Sequence, residues 1–121
     1  MSSMITKNDN SNKDIIKGSV WIEHDGVKYF GPGPYELLRK IDETGSIHEA
    51  AKRMGLSYRK AWIIINRMNQ VTGKAMVITR TGGTQGGGSE VSPEAKKLMT
   101  RYHEVNRRFT SFLEKESIRI H

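Results

Sequence analysis

The 121-residue sequence contains no cysteine, which excludes disulfides, a thiolate zinc site and a thiol nucleophile, and suits a reducing compartment. It also lacks a long apolar run, so neither a secretion signal nor a membrane span is expected, and a cytoplasmic protein without a membrane partner is. The usual constellations of catalysis are missing too. There is no nucleophile elbow, no HExxH and no Walker sequence, and the histidines at 24, 48, 103 and 121 lack metal-ligand spacing. His103 stands beside Glu104, but neighbouring helical residues diverge and make no pair. The expectation is a protein that is not an enzyme, with no cofactor and no metal site. One further absence is local: from Ala50 to Ser89 there is no carboxylate. Lys52, Arg53, Arg59, Lys60, Arg67, Lys74 and Arg80 all fall in that block. Basic residues of one sign on consecutive elements are the electrostatic footprint of a polyanion partner.

What is present is organised around Ser46 to Arg67, SIHEAAKRMGLSYRKAWIIINR. Ser46 and Glu49 stand three apart ahead of Ala50-Ala51, a capping box that opens a helix over about 47–54. Gly55 ends that helix, and Ser57 caps a second over 58–72. Helix, short glycine turn and helix make a helix-turn-helix, the device that enters the DNA major groove. On the second helix Ala61, Ile65, Met68 and Thr72 form an inward stripe. The opposite face carries Arg59, Ile63, Asn66, Arg67 and Gln70, with Lys60 on its shoulder. Arg can grip guanine, Asn and Gln adenine, and Ile can pack on a thymine methyl. Arg59, Lys60, Ile63, Asn66 and Arg67 are therefore candidates for reading double-stranded DNA. Lys52, Arg53, Lys74 and Arg80 are candidates for its phosphates.

The flanking segments supply the rest of one domain. Residues 1–17 are polar and read as a disordered lead-in to a domain spanning 18–121. Residues 19–30 read as a hairpin: Val20, Ile22, Val27 and Tyr29 alternate around Asp25-Gly26, while Trp21 and Phe30 give a second apolar side. A helix over about 34–44 follows, with Pro34 in its first turn, Leu37, Leu38 and Ile41 inward, and Gly45 as its stop. With Ile47, Ala50, Ala51, Met54, Leu56, Ala61, Ile65 and Met68 these form a three-helix core. Residues 75–92 read as strand, glycine loop and return strand, a wing. The loop lacks the GxxxxGK pattern and does not lead from a buried strand into a helix, so it is no nucleotide cradle. Ser92-Pro93-Glu94 opens a last helix to about Lys115. Leu98, Tyr102, Val105, Phe109 and Phe112 follow a heptad-like stripe on it, which either meets a second copy or packs on the hairpin and first helix. The fold class expected is mainly α with small β elements. It is a winged helix-turn-helix with an N-terminal β-hairpin and a long C-terminal dimerisation helix.

The residues also carry a resemblance. GSIHEAA, SYRKAW, Met68-Asn69 and the TGGTQGGG wing, over about Gly18 to Leu113, resemble the N-terminal DNA-binding domain of the ModE family of molybdate-responsive regulators. They are similar, more distantly, to the winged helix of LysR-type regulators. The resemblance implies a homodimeric transcription factor on a partly palindromic operator. It places the start of the recognition helix on Ser57, Tyr58, Arg59 and Lys60 and the wing on Thr81 to Ser89, where Thr84 and Gln85 also lie. Tyr58 and Trp62 match the family's SYxxAW pattern, with Trp62 read as core packing. Pro34 departs from the basic residue that often follows GPG in the family. The family's molybdate-binding region lies beyond the residues matched, so no molybdate site is expected in this chain. The alternatives kept open are an architectural DNA binder without sequence preference, and an interaction adaptor whose helix-turn-helix has lost DNA.

Overall fold

The computed structural model describes residues 14–80 and 88–120. Two short strands, β1 (Ile22–His24) and β2 (Val27–Phe30), pair antiparallel and lead into three helices, α1 (Pro32–Thr44), α2 (Ile47–Arg53) and α3 (Tyr58–Thr72). A second antiparallel pair, β3 (Val77–Arg80) and β4 (Gly88–Val91), precedes the long α4 (Pro93–Ile118). The architecture is mainly α with two small β-ribbons, in the winged helix-turn-helix order.

Local chemistry explains the joints. Asp25 and Gly26 both have positive φ (51° and 79°), which twists the two-residue loop to suit a right-handed hairpin. The α1 helix begins two residues earlier than Pro34. Pro32 takes the first helical position, and Tyr35 N–H donates to Gly31 O at 2.9 Å. Pro34 then falls where an N–H would have no intrahelical partner anyway. Gly45, at φ 70°, closes the helix by donating to Ile41 O. Ser46 caps α2 through the Glu49 N–H at 3.0 Å, but the reciprocal half of the capping box is replaced. Thr44 Oγ1 accepts the Ser46 N–H, and the Glu49 carboxylate turns to Arg53 Nε at 3.3 Å. Ser57 and Ser92 cap α3 and α4 in the same manner, accepting from Lys60 and Ala95 N–H.

The core joins Leu37, Leu38 and Ile41 of α1, Ile47, Ala50 and Ala51 from α2, and Ala61, Ile65 and Met68 of α3. Met54 and Leu56, expected inside, are half-buried at the turn. Phe30, Met76, Val77, Val91, Ala95 and Tyr102 complete the core, so both ribbons and α4 close it. Asn69 couples α3 to the second ribbon, its Oδ1 accepting the Met76 N–H at 2.9 Å. Fully burying one large aliphatic side chain stabilises by about 1.5–3 kcal/mol, so this shared core fixes how α3 is held.

The long α4 differs most from the sequence expectation. It runs to Ile118, and its stripe is largely covered by its own chain. Tyr102 is buried, packs edge-on to Phe30 with ring centroids 5.2 Å apart, and donates its hydroxyl to Val20 O at 2.9 Å. That burial, and secondarily the Tyr35 hydroxyl, raises its pKa above the usual tyrosine value. Leu98, Val105 and Phe109 are half-buried, and the Phe109 ring lies against Gly18. Of the five stripe residues, read as meeting either a second copy or the hairpin and first helix, Tyr102 takes the second course, and Phe112 stands out at 56% exposed. The hairpin and α1 cover Tyr102, and the segment before the hairpin covers the end of the helix. Residues 14–17, expected disordered, run beside the end of α4, where Ile16 N–H donates to Ser117 Oγ at 2.7 Å. Residues 1–13 of the expected lead-in lie outside the described residues.

Candidate nucleic-acid interface

The α3 helix has two chemically distinct sides. Ala61, Ile65 and Met68 are fully buried, whereas Arg59, Lys60, Ile63, Asn66, Arg67 and Gln70 are exposed. The cap at Ser57 points the first turn of α3 outward beyond the tight turn at Gly55, whose φ of 69° suits only glycine readily. One solvent face therefore presents three cations, two amides and an aliphatic side chain, which is the donor and apolar mixture that base edges in a major groove accept.

The cations divide into two groups. Among the described residues, no ion pair is formed by Lys52, Arg59, Lys60, Arg67 or Lys74. Arg53 and Arg80, also expected to meet phosphates, hold internal partners. Arg53 pairs with Glu49 at 3.3 Å, and Arg80 Nη2 donates to Glu90 at 2.6 Å across the second ribbon. Glu90 is the first carboxylate after the acid-free block, so the sequence boundary and this ion pair coincide. Thr81, Thr84 and Gln85 lie outside the described residues.

Around the start of α3 three rings form a ladder that the sequence spacing did not disclose. His48 of α2 stands edge-on to Tyr58 at 5.2 Å, and Tyr58 edge-on to Trp62 at 6.4 Å. Trp62 is half-buried and packs against the core, while Tyr58 is 47% exposed. Ser89 N–H donates to Gly45 O at 2.9 Å, tying the base of the wing to the start of α2 beside this ladder. Helix, wing base and aromatic ladder are thus held as one continuous surface.

Among the described residues, no group of three or more His, Asp or Glu side chains is placed to hold a metal ion. No helix there is long and apolar enough to cross a membrane.

No family model matches the chain. Individual proteins do. A molybdenum transport protein ModE of Herbaspirillum seropedicae is 37% identical over 82 residues, 68% of this chain and 30% of that protein. The DNA-binding transcriptional dual regulator ModE of Escherichia coli K12 is 39% identical over 71 residues, 59% of this chain and 27% of its own length. A transcriptional regulator ModE of Haemophilus influenzae is 33% identical over 79 residues, covering 65% and 31% of the two chains. The chain spans about three-tenths of the length of these relatives.

Proposed function

We propose, from the premise that this chain is a homologue of the ModE regulators over the segment they share, that it is a sequence-specific DNA-binding transcriptional regulator. It acts as a homodimer on a partly palindromic operator. The observation that carries the reading is the outward face of α3, where Arg59, Lys60 and Arg67 stand exposed without an acidic partner beside Ile63 and Asn66. Arg59, Lys60, Ile63, Asn66 and Arg67 read base edges, while Lys52 and Lys74 bind phosphates and set the register. Ser57 and Tyr58 position the first turn of the reading helix. Arg53 and Arg80 reach phosphates only by leaving Glu49 and Glu90. Thr81, Thr84 and Gln85 add further contacts to the DNA backbone.

Support for a dimer comes from the end of α4 and its neighbours: Ile15, Phe112, Ile118 and Ile120 are each at least half exposed. Apolar side chains of that size at a helix end gain by meeting a second copy. A two-fold dimer requires half-sites about one helical turn apart or a multiple of that.

Selecting bound sequences from a random duplex pool at fixed salt tests the reading. The expected result is an enriched, partly palindromic site bound about a thousand-fold or more tighter than random DNA. A small ratio would indicate an architectural DNA binder. Absence of salt-sensitive binding would indicate an adaptor that has lost DNA. Sedimentation as a monomer at micromolar concentration, with and without DNA, would remove the dimer.

A further inference from the structure

Between the first ribbon and α3 lies a cleft of about 330 Å³. Its walls carry Lys28 from β2 and Lys60 and Arg67 from α3, and its floor includes Pro32, Gly33 and Ile63. Among the described residues no carboxylate lines it. Lys60 and Arg67 belong to the face assigned to DNA, so the cleft continues that face toward the hairpin.

Lys28 is held in an unusual way. Its cross-strand neighbour in the register is Glu23, which would be its ordinary partner. The Glu23 carboxylate instead accepts the Trp21 indole N–H at 2.9 Å, and no ion pair joins it to Lys28. The Lys28 ammonium rests over the Trp21 ring, 4.3 Å from a ring centroid. A cation–π contact positions an ammonium without neutralising it. Three cations on two elements therefore line one cleft beside the reading helix, together with prolines and an aliphatic side chain. That chemistry matches a sugar-phosphate strand, whose phosphates take the cations and whose deoxyribose faces take the apolar floor.

We infer that the N-terminal hairpin is a third DNA-contacting element: Lys28, with Lys60 and Arg67, clamps the backbone that borders the groove entered by α3. This rests on the DNA reading above and extends the contact from helix and wing to the hairpin. Only Lys28 among these residues lies outside the helix-turn-helix and wing, so it isolates the inference.

The test uses the full chain and two duplexes, the selected site and a random sequence of equal length, with affinity measured across a salt series. Lys28→Gln is expected to weaken both by about five- to ten-fold at 0.1 M salt and to lower the salt slope by about one unit. Lys28→Arg should keep the slope, and Lys115→Gln on α4 should change neither quantity. Hydroxyl-radical footprinting should lose protection at the border of the site in Lys28→Gln alone. If the wild-type chain binds with steep salt dependence and Lys28→Gln matches it, the hairpin contact is overturned while the DNA reading stands. Loss confined to the selected site with an unchanged slope would likewise overturn it, because it would make Lys28 a base reader. If the wild-type chain shows no salt-dependent binding, the DNA reading itself fails.

Discussion

The α3 and α4 helices are both rich in lysine and arginine, yet they treat those charges in opposite ways. On α4 the positive charges are interleaved with acids: Glu104 takes Arg101 at 3.1 Å and Arg108 at 3.4 Å, and Lys96 lies 4.0 Å from Asp42 of α1. On α1, Arg39 sits between Glu36 and Glu43, and the Glu36 hydrogen bond raises its pKa above the ordinary arginine value. On α3 no acid is present, and Arg59, Lys60 and Arg67 reach water without partners among the described residues. Exposed ion pairs are worth little for stability, about 0.2–1 kcal/mol at most. Their consequence here is to offset part of the positive charge on the α1–α4 side, whereas α3 carries no acid to offset its own. The net charge of +7 hides this asymmetry. The uncompensated charge, rather than the total, marks the side suited to a polyanion.

The division into a supporting side and a reading side can be broken by mutation, most strongly in the core. Leu38 is fully buried, and Leu38→Ala is expected to cost about 2–5 kcal/mol of folding stability in a denaturant titration. The DNA affinity of the molecules that remain folded should be unchanged. A fall in that affinity would show that the two sides are not separable. On the reading side the pattern reverses. Arg59→Ala should leave the unfolding midpoint nearly untouched and weaken the selected site by about 1–3 kcal/mol if Arg59 contacts a base in bidentate fashion. Equal weakening on random DNA would reassign Arg59 to the backbone. Arg108→Ala, on the paired surface, should affect neither site nor random duplex.

The supporting side should also have a titration of its own. Burial raises the Tyr102 pKa, so the native state holds that proton more tightly than the unfolded chain does. The stability linked to it is therefore complete below the unfolded value and is lost as pH rises from about 10 through the native pKa. Ionisation would also remove the donor to Val20 O and place a charge against a carbonyl. Tyr102→Phe should cost about 0.5–1.5 kcal/mol near neutral pH and abolish this part of the alkaline destabilisation. An unchanged alkaline profile in Tyr102→Phe would assign the transition to another group.

What could be read from the chain alone divides along the same line. The two faces of α3 were legible because a 3.6-residue period and two serine caps are local signals. The same holds for the hairpin turn, since Asp25-Gly26 specifies its own backbone. The fate of the α4 stripe was not legible. Its spacing is equally consistent with a second copy or with its own hairpin, and the choice depends on Val20, Gly18 and Ile16, distant in sequence. The pairing of Arg80 was likewise hidden, because Glu90 becomes its neighbour only once β3 and β4 align Arg80 with Gly88. Lys28 was not legible for a related reason: it lies well before the acid-free block that starts at Ala50, and its place in one cleft with Lys60 and Arg67 is a product of packing.

Arg80 supplies the smallest effect expected and the finest test of the comparison, because it carries a reading-side position with a supporting-side habit. Both partners of the Arg80–Glu90 pair are more than half exposed, at 65% and 52%, so the pair contributes at most about 1 kcal/mol. If DNA draws Arg80 away from Glu90, that contribution is lost on binding. Glu90→Gln removes the competitor beforehand, and affinity for any duplex should rise by up to about five-fold, with a steeper salt dependence. Wing stability should fall by no more than the pair contributes. An affinity and slope equal to wild type would mean that Arg80 stays with Glu90 on DNA, and the boundary between the two sides would then run through the wing rather than beyond it.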